Sequence, residues 1–185
     1  MRKALLGFVL VFMSALPLYG SVQHGEVMEQ VSLPVPSDQN DRTYLGLGKK
    51  AGQFTLRDID ADIVIVEIFS MYCPHCQKHA PTANRLHEII EADKRTRGRV
   101  KLIGIGVGNS AYEVKFFKKK YTVPFPLFDD ENSQILNKLT GIRTPTFFGV
   151  RKRGPKVEAF FIEQGPHDDA DAFLKDVIRK SGISL

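Results

Sequence analysis

The chain contains two cysteines, Cys73 and Cys76, set three residues apart in Cys73-Pro74-His75-Cys76. At that spacing the sulfurs lie about one helical turn apart, so the pair can cycle between dithiol and disulfide by thiolate exchange. Cys73 is the expected nucleophile. It stands at the predicted start of a helix, where unpaired N–H groups and the helix dipole favour a thiolate. Cys76 lies one turn further in and is the expected resolving thiol, more shielded and with the higher pKa. His75 sits between them, and as a cation it would stabilise the Cys73 thiolate further. Pro74 suits the first helical position, where its missing N–H loses no partner. Glu67 is the one acid in an apolar run; buried behind the thiols, its pKa should rise, and it could take the Cys76 proton directly or through a water.

These residues need a strand before them and a helix after them. Residues 62–69 are β-branched and apolar on both faces, as a central covered strand requires. Ala80, Ala83, Leu86 and Ile90 then recur at helical spacing, with Pro81 expected to bend the helix and His79 expected to be a partly exposed helical residue. A second buried strand is predicted over 100–107, a helix over 111–121, a short strand near 125–128 and a short helix over 133–140 closed by Gly141. Thr144-Pro145 opens another apolar strand, a place where proline is tolerated. Residues 157–162 read as its hairpin partner, and residues 168–180 as an amphipathic helix with Phe173, Leu174, Val177 and Ile178 inward.

Glu67 to Cys76 resembles the matching stretch of the periplasmic DsbA-type disulfide oxidases: Cys-Pro-His-Cys after a Phe-Ser-aromatic turn, with an acid six residues before the first cysteine. Residues 46–180 as a whole are more similar to the TlpA/ResA branch of thioredoxin-fold proteins. The resemblance implies an α/β thioredoxin fold, a mixed central sheet flanked by helices, with a TlpA- or peroxiredoxin-like helix-strand insertion. It also implies that Pro145 is a cis proline beside the cysteines and that the backbone of Thr144 pairs with substrate. Many TlpA-like proteins carry a glutamate where this chain has His79, a departure that unsettles any proton-relay role inherited at that position.

Residues 1–20 read as a targeting segment: Arg2 and Lys3, an uncharged apolar run too short to span a membrane comfortably, then small residues near Gly20. It is either a cleaved secretory signal or an uncleaved membrane anchor, and both place the thiols outside the cytosol, in a periplasmic or other extracytoplasmic compartment. Residues 21–45, with Pro34, Pro36 and a polar run over 37–41, read as an extended linker or arm, with a short strand near 31–35, ahead of a thioredoxin-like domain over 46–185. Without the leader's two basic residues, 24 basic and 21 acidic side chains leave a net charge of +3, too weak to imply nucleic acid.

The expected activity is thiol-disulfide exchange with substrate proteins, aided by a membrane redox donor or acceptor. The Cys73/Cys76 dithiol is the redox centre, so no metal or organic cofactor is expected. The TlpA-like scaffold favours a reductase of selected substrates, while Pro-His between the cysteines favours a DsbA-like oxidase. A structural crosslink is a weaker reading, since closing so short a loop contributes only ~2 kcal/mol, against ~4.7 for a hundred-residue loop. A zinc module would need two of His24, His75, His79, His87 and His167, none at finger-like spacing. A thiol peroxidase would want Pro-x-x-x-Thr-x-x-Cys, a pattern absent from this chain, in which Glu67, Met71 and Tyr72 precede Cys73.

Overall fold

The computed structural model describes residues 27–185; the expected leader and its cleavage point lie outside them. In chain order the elements are β1 (Ser32–Pro34), α1 (Gln39–Leu45), β2 (Gln53–Thr55), β3 (Ile63–Phe69), α2 (Pro74–Ala92), β4 (Val100–Val107), α3 (Ala111–Lys120), β5 (Leu127–Asp130), β6 (Thr146–Arg153), β7 (Lys156–Gln164) and α4 (Ala170–Ser181). The main sheet has the order β5-β4-β3-β6-β7. β3 runs parallel to β4, and β4 to β5, while β6 is antiparallel to both β3 and β7. This is the mixed sheet of the thioredoxin fold. β3, at its centre, is buried at every position, which is why its sequence shows no polar alternation.

Each face of the sheet has its own core. Ile63, Ile65 and Phe69 pack with Ala80, Ala83, Leu86 and Ile90 of α2 and with Phe173, Leu174 and Val177 of α4. Val64, Val66 and Ile68 face the other way, onto Met28, Val31, Leu33, Leu45, Phe54 and Leu56.

That second core corrects the reading of residues 21–45 as an extended arm, for the part of it that is described. β1 pairs antiparallel with β2, Leu33 opposite Phe54. The polar run after Pro36 starts α1, with the Asp38 carboxylate accepting from the N–H groups of Asn40 and Asp41, and Gly46 ends it at φ 70°. Tyr44 explains the docking. β5 pairs with β4 only from Gly104 onward, so the preceding edge of β4 is open, and the Leu102 N–H donates to the Tyr44 hydroxyl at 2.8 Å. Lys101 Nζ lies 4.2 Å from the centroid of the same ring, and Lys118 of α3 pairs with Asp41 at 3.0 Å.

The helix expected over 133–140 is also corrected. Only a 3-10 turn forms there, Leu136–Lys138. Asp130 accepts from the N–H groups of Gln134, Ile135 and Leu136 at 2.8, 3.0 and 3.2 Å. One carboxylate thereby gathers the backbone donors that a helix start would have left open, and the segment curls around it.

Candidate active site

β3 ends at Phe69, and four residues later Cys73 is the N-cap of α2, with extended backbone (φ −82°, ψ 115°) and Pro74 in the first turn. The connecting loop is held from several directions. The Cys73 N–H donates to the Ser70 carbonyl at 3.1 Å. Gln77 Nε2 donates to the Met71 carbonyl at 2.6 Å. The Met71 N–H donates to Asn109 Oδ1 at 2.8 Å, and Asn109, fully buried, also donates to the Gly108 carbonyl at 3.0 Å. No local pattern in the sequence singles out Asn109, which lies in the turn between β4 and α3. Only the pairing of β3 with β4 brings that turn against the cysteine loop.

Both thiols are free, Cys73 half-buried and Cys76 with no exposed surface. The Cys73 thiol donates to the Thr144 carbonyl at 3.3 Å. Burial by itself would raise the Cys73 pKa. Hydrogen bonding from the Thr144 side chain, the Cys76 amide and thiol and the His75 amide outweighs burial and leaves it below the ordinary thiol value. Cys76 goes the other way. Burial pushes it up, the Ser70 backbone partly opposes this, and Cys73 and the charge of Glu67 push it up further. The two sulfurs therefore divide into an ionisable, half-exposed one and a protonated, buried one.

Each residue singled out in the sequence can now be placed. The His75 side chain is exposed, and its recorded contribution to Cys73 is the backbone N–H. Glu67 is 5% exposed and on the Cys76 side of the sheet, and burial pushes its carboxyl up to about 8. Thr144 is half-buried against Cys73 and Pro145 is buried. The peptide bond between them is cis, and the Pro145 carbonyl accepts from the Gly165 N–H at 2.8 Å.

His79 departs from expectation. It is 3% exposed, not partly exposed, because this turn of α2 faces the sheet. Its Nδ1 is 3.9 Å from Glu67 Oε1, and its ring meets His167 at 4.3 Å and Phe147 at 5.2 Å between centroids. His167 appeared in the sequence only as a possible zinc partner, and no local pattern pairs it with His79. Among the described residues no group of three or more His, Cys, Asp or Glu is placed to hold a metal ion; His24 lies outside them.

Residues 28–165 match the family described as AhpC/TSA. The chain belongs to the AhpC/TSA family. It is similar to the thiol-disulfide oxidoreductase ResA of Bacillus cereus, 26% identical over 134 residues, with 67% of this chain and 75% of the relative covered. ResA of Geobacillus thermodenitrificans is 23% identical over 147 residues, 74% of this chain and 81% of that one. Among solved structures, a secreted Mycobacterium tuberculosis disulfide oxidoreductase homologous to E. coli DsbE superposes with TM-score 0.56 at 16% identity, covering 83% of this chain and 98% of the other. A DsbE from Chlorobium tepidum, described as a putative thiol:disulfide interchange protein, gives 0.59 at 16% identity, over 82% and 93%. In this AhpC/TSA-family chain the cysteine pair thus occupies a thioredoxin-fold frame, and the chain is a thiol-disulfide oxidoreductase. His79 stands beside Glu67 on the Cys76 side of the sheet, with His167 packed against it.

Proposed function

We propose that this oxidoreductase works outside the cytoplasm, in the periplasm or an equivalent compartment, as a reductase of selected protein disulfides. The observation that carries the dithiol chemistry is the split between the two sulfurs: Cys73 half-exposed with its pKa lowered, Cys76 buried with its pKa raised. The Cys73 thiolate attacks a substrate disulfide, forms a mixed disulfide and expels one substrate thiolate. Cys76 then loses its proton to Glu67, attacks Cys73 Sγ, closes the Cys73–Cys76 disulfide and expels the second substrate thiolate. Two electrons pass from the dithiol to the substrate. A membrane-bound donor returns them, and no further cofactor takes part.

Thr144 would dock the substrate chain. Its carbonyl already touches Cys73 Sγ, so a substrate strand lying along it would place a disulfide at the nucleophile. The extracytoplasmic assignment rests on the leader pattern of residues 1–20 and on the ResA and DsbE likenesses. No helix among the described residues is long and apolar enough to cross a membrane.

Two measurements test this. Cys76→Ser should accumulate substrates as mixed disulfides on Cys73, and Cys73→Ser should accumulate none. Trapping of the Cys73→Ser protein to the same extent would sink the assignment. For the direction of electron flow, alkylation in growing cells should find Cys73 and Cys76 mainly as thiols. A mainly disulfide form makes the protein a DsbA-like oxidase, a direction favoured by the lowered Cys73 pKa, because stabilising the thiolate makes the disulfide more oxidising.

A further inference from the structure

Among the described residues the exposed large apolar side chains are Tyr72 at 64%, Tyr112 at 77% and Phe116 at 47%. They are not scattered. Tyr72 directly precedes Cys73, and its hydroxyl donates to the Glu113 carboxylate in the first turn of α3. The other oxygen of that carboxylate accepts from the Ser110 N–H at 2.8 Å, so the Tyr72 ring is tethered to the start of α3. Phe116 lies one turn beyond Glu113, and Tyr112 and Phe116, four residues apart, share the outer face of the helix. Val114 and Phe117 occupy its inner face and are buried in the core. A single exposed ring needs no explanation; a set of them gathered beside a reactive thiol does.

We propose that Tyr72, Tyr112 and Phe116, with the lysines between them on α3, form a docking surface for the substrate chain that selects disulfides flanked by apolar and acidic residues. The inference rests on the dithiol reading above and deepens it by naming the class of substrate. The strip runs into the cysteine loop, so a molecule that covers it also covers Cys73, and the molecule that has to reach Cys73 is the substrate. The Thr144 carbonyl holds the substrate backbone at the thiol, and the strip takes the side chains next to the substrate cysteine.

Charge sets the second half of the preference. Three segments meet at the cysteine loop: residues 70–79, residues 109–121, joined to it through Asn109 and Glu113, and residues 141–145, joined through Thr144. They contain one acid, Glu113, against Lys78, Lys115, Lys118, Lys119, Lys120 and Arg143. Glu113 is engaged by Ser110 and Tyr72, and Lys118 by Asp41 at 3.0 Å. Among the described residues Lys115 and Lys119 have no ion-pair partner, and Lys120 rests only over the Tyr121 ring at 5.2 Å. A basic rim around exposed rings attracts acidic side chains and repels basic ones. An anionic lipid surface would use the same residue types, but it would not need the rings tied to the loop that carries the nucleophile.

The test uses the reduced full chain and two synthetic peptides with the same intramolecular disulfide, one flanked by Leu, Phe, Asp and Glu and the other by Ser, Asn, Lys and Arg. Bis(2-hydroxyethyl) disulfide is the small neutral reference, and acid-quenched samples are read by mass spectrometry. The apolar and acidic peptide should be reduced about tenfold faster than the polar and basic one. In Tyr112→Ser/Phe116→Ser the ratio of its rate to that of the reference should fall by about tenfold. In Lys115→Gln/Lys119→Gln the ratio should fall by about threefold at ~0.01 M salt and recover at ~1 M, where the screening length is only about 3 Å. Equal rates for the two peptides, or a ratio that neither pair of substitutions moves, overturns the docking surface and leaves dithiol exchange standing. A parent that reduces none of the three disulfides fails the dithiol reading and the proposal with it. Equal peptide rates, together with cosedimentation on phosphatidylglycerol vesicles that Tyr112→Ser/Phe116→Ser abolishes, assign the strip to a lipid surface and overturn the proposal. Should the aromatic pair not fold, judged by circular dichroism, Tyr112→Ser alone, at the more exposed ring, carries the test with an expected fall of about threefold.

Discussion

Replacing Glu67 with glutamine should stabilise the protein, and by an amount that grows with pH. The carboxyl has an ordinary pKa of 4.5 and is pushed up to about 8 in the folded chain by burial. Between those values the folded protein holds a proton that the unfolded chain has released. This contribution to stability is therefore fully present below about 4.5 and lost as pH rises through about 8. Each pH unit in that window removes about 1.4 kcal/mol, which accumulates to about 3 kcal/mol at pH 7 and about 5 kcal/mol beyond pH 8. Glutamine keeps the shape and never ionises. At the low end of the window both side chains are neutral polar groups in one buried place, and the two proteins should differ little. Urea unfolding of the reduced parent and of Glu67→Gln at pH 5, 6, 7 and 8 measures the gap directly, and at pH 7 it should appear as roughly 6 to 12 °C in Tm. The same variant should resolve mixed disulfides more slowly, a gain in stability with a loss in rate. A gap that stays constant from pH 5 to 8 would refute the reasoning, because it would mean that the folded protein does not hold the Glu67 proton.

Other consequences follow from single contacts. Iodoacetamide should alkylate Cys73 with a pH midpoint below that of a free thiol, while Cys76 stays unreactive until denaturant is added; equal reactivity would contradict the burial of Cys76. Thr144→Val removes a hydrogen bond that favours the Cys73 thiolate and should move that midpoint up by about 0.4 to 1 unit. Asn109→Ala leaves the Met71 N–H without its acceptor and should cost about 1–3 kcal/mol in urea unfolding, with weaker protection of the Met71 amide in hydrogen exchange. Tyr44→Phe deprives the open edge of β4 of its one acceptor at Leu102 and should cost a similar ~1–3 kcal/mol. No loss of stability there would show that α1 rests on the domain without holding it.

By itself the sequence determined the frame of the chemistry. Residues 62–69 could be read as a covered strand, Pro74 as a helix start and Thr144-Pro145 as a strand opening, because each signal spans only a few neighbouring residues. The same local logic placed a nucleophile at Cys73 and a buried acid at Glu67. It failed wherever a side chain's fate depended on a distant partner. The polar run after Pro36 looked like linker, yet its Asp38 caps a helix whose Tyr44 answers an open strand edge in β4. The run over 133–140 looked helical until Asp130 gathered its backbone donors. His79 looked half-exposed because helical spacing says which residues share a face, not how wide the neighbouring elements make the cover. Tertiary structure alone decided that α2 turns His79 toward Glu67 and that the approach to α4 brings His167 over it. Burial and proximity between residues far apart in sequence are properties of the packed layers, and they set the pKa values on which the chemistry turns.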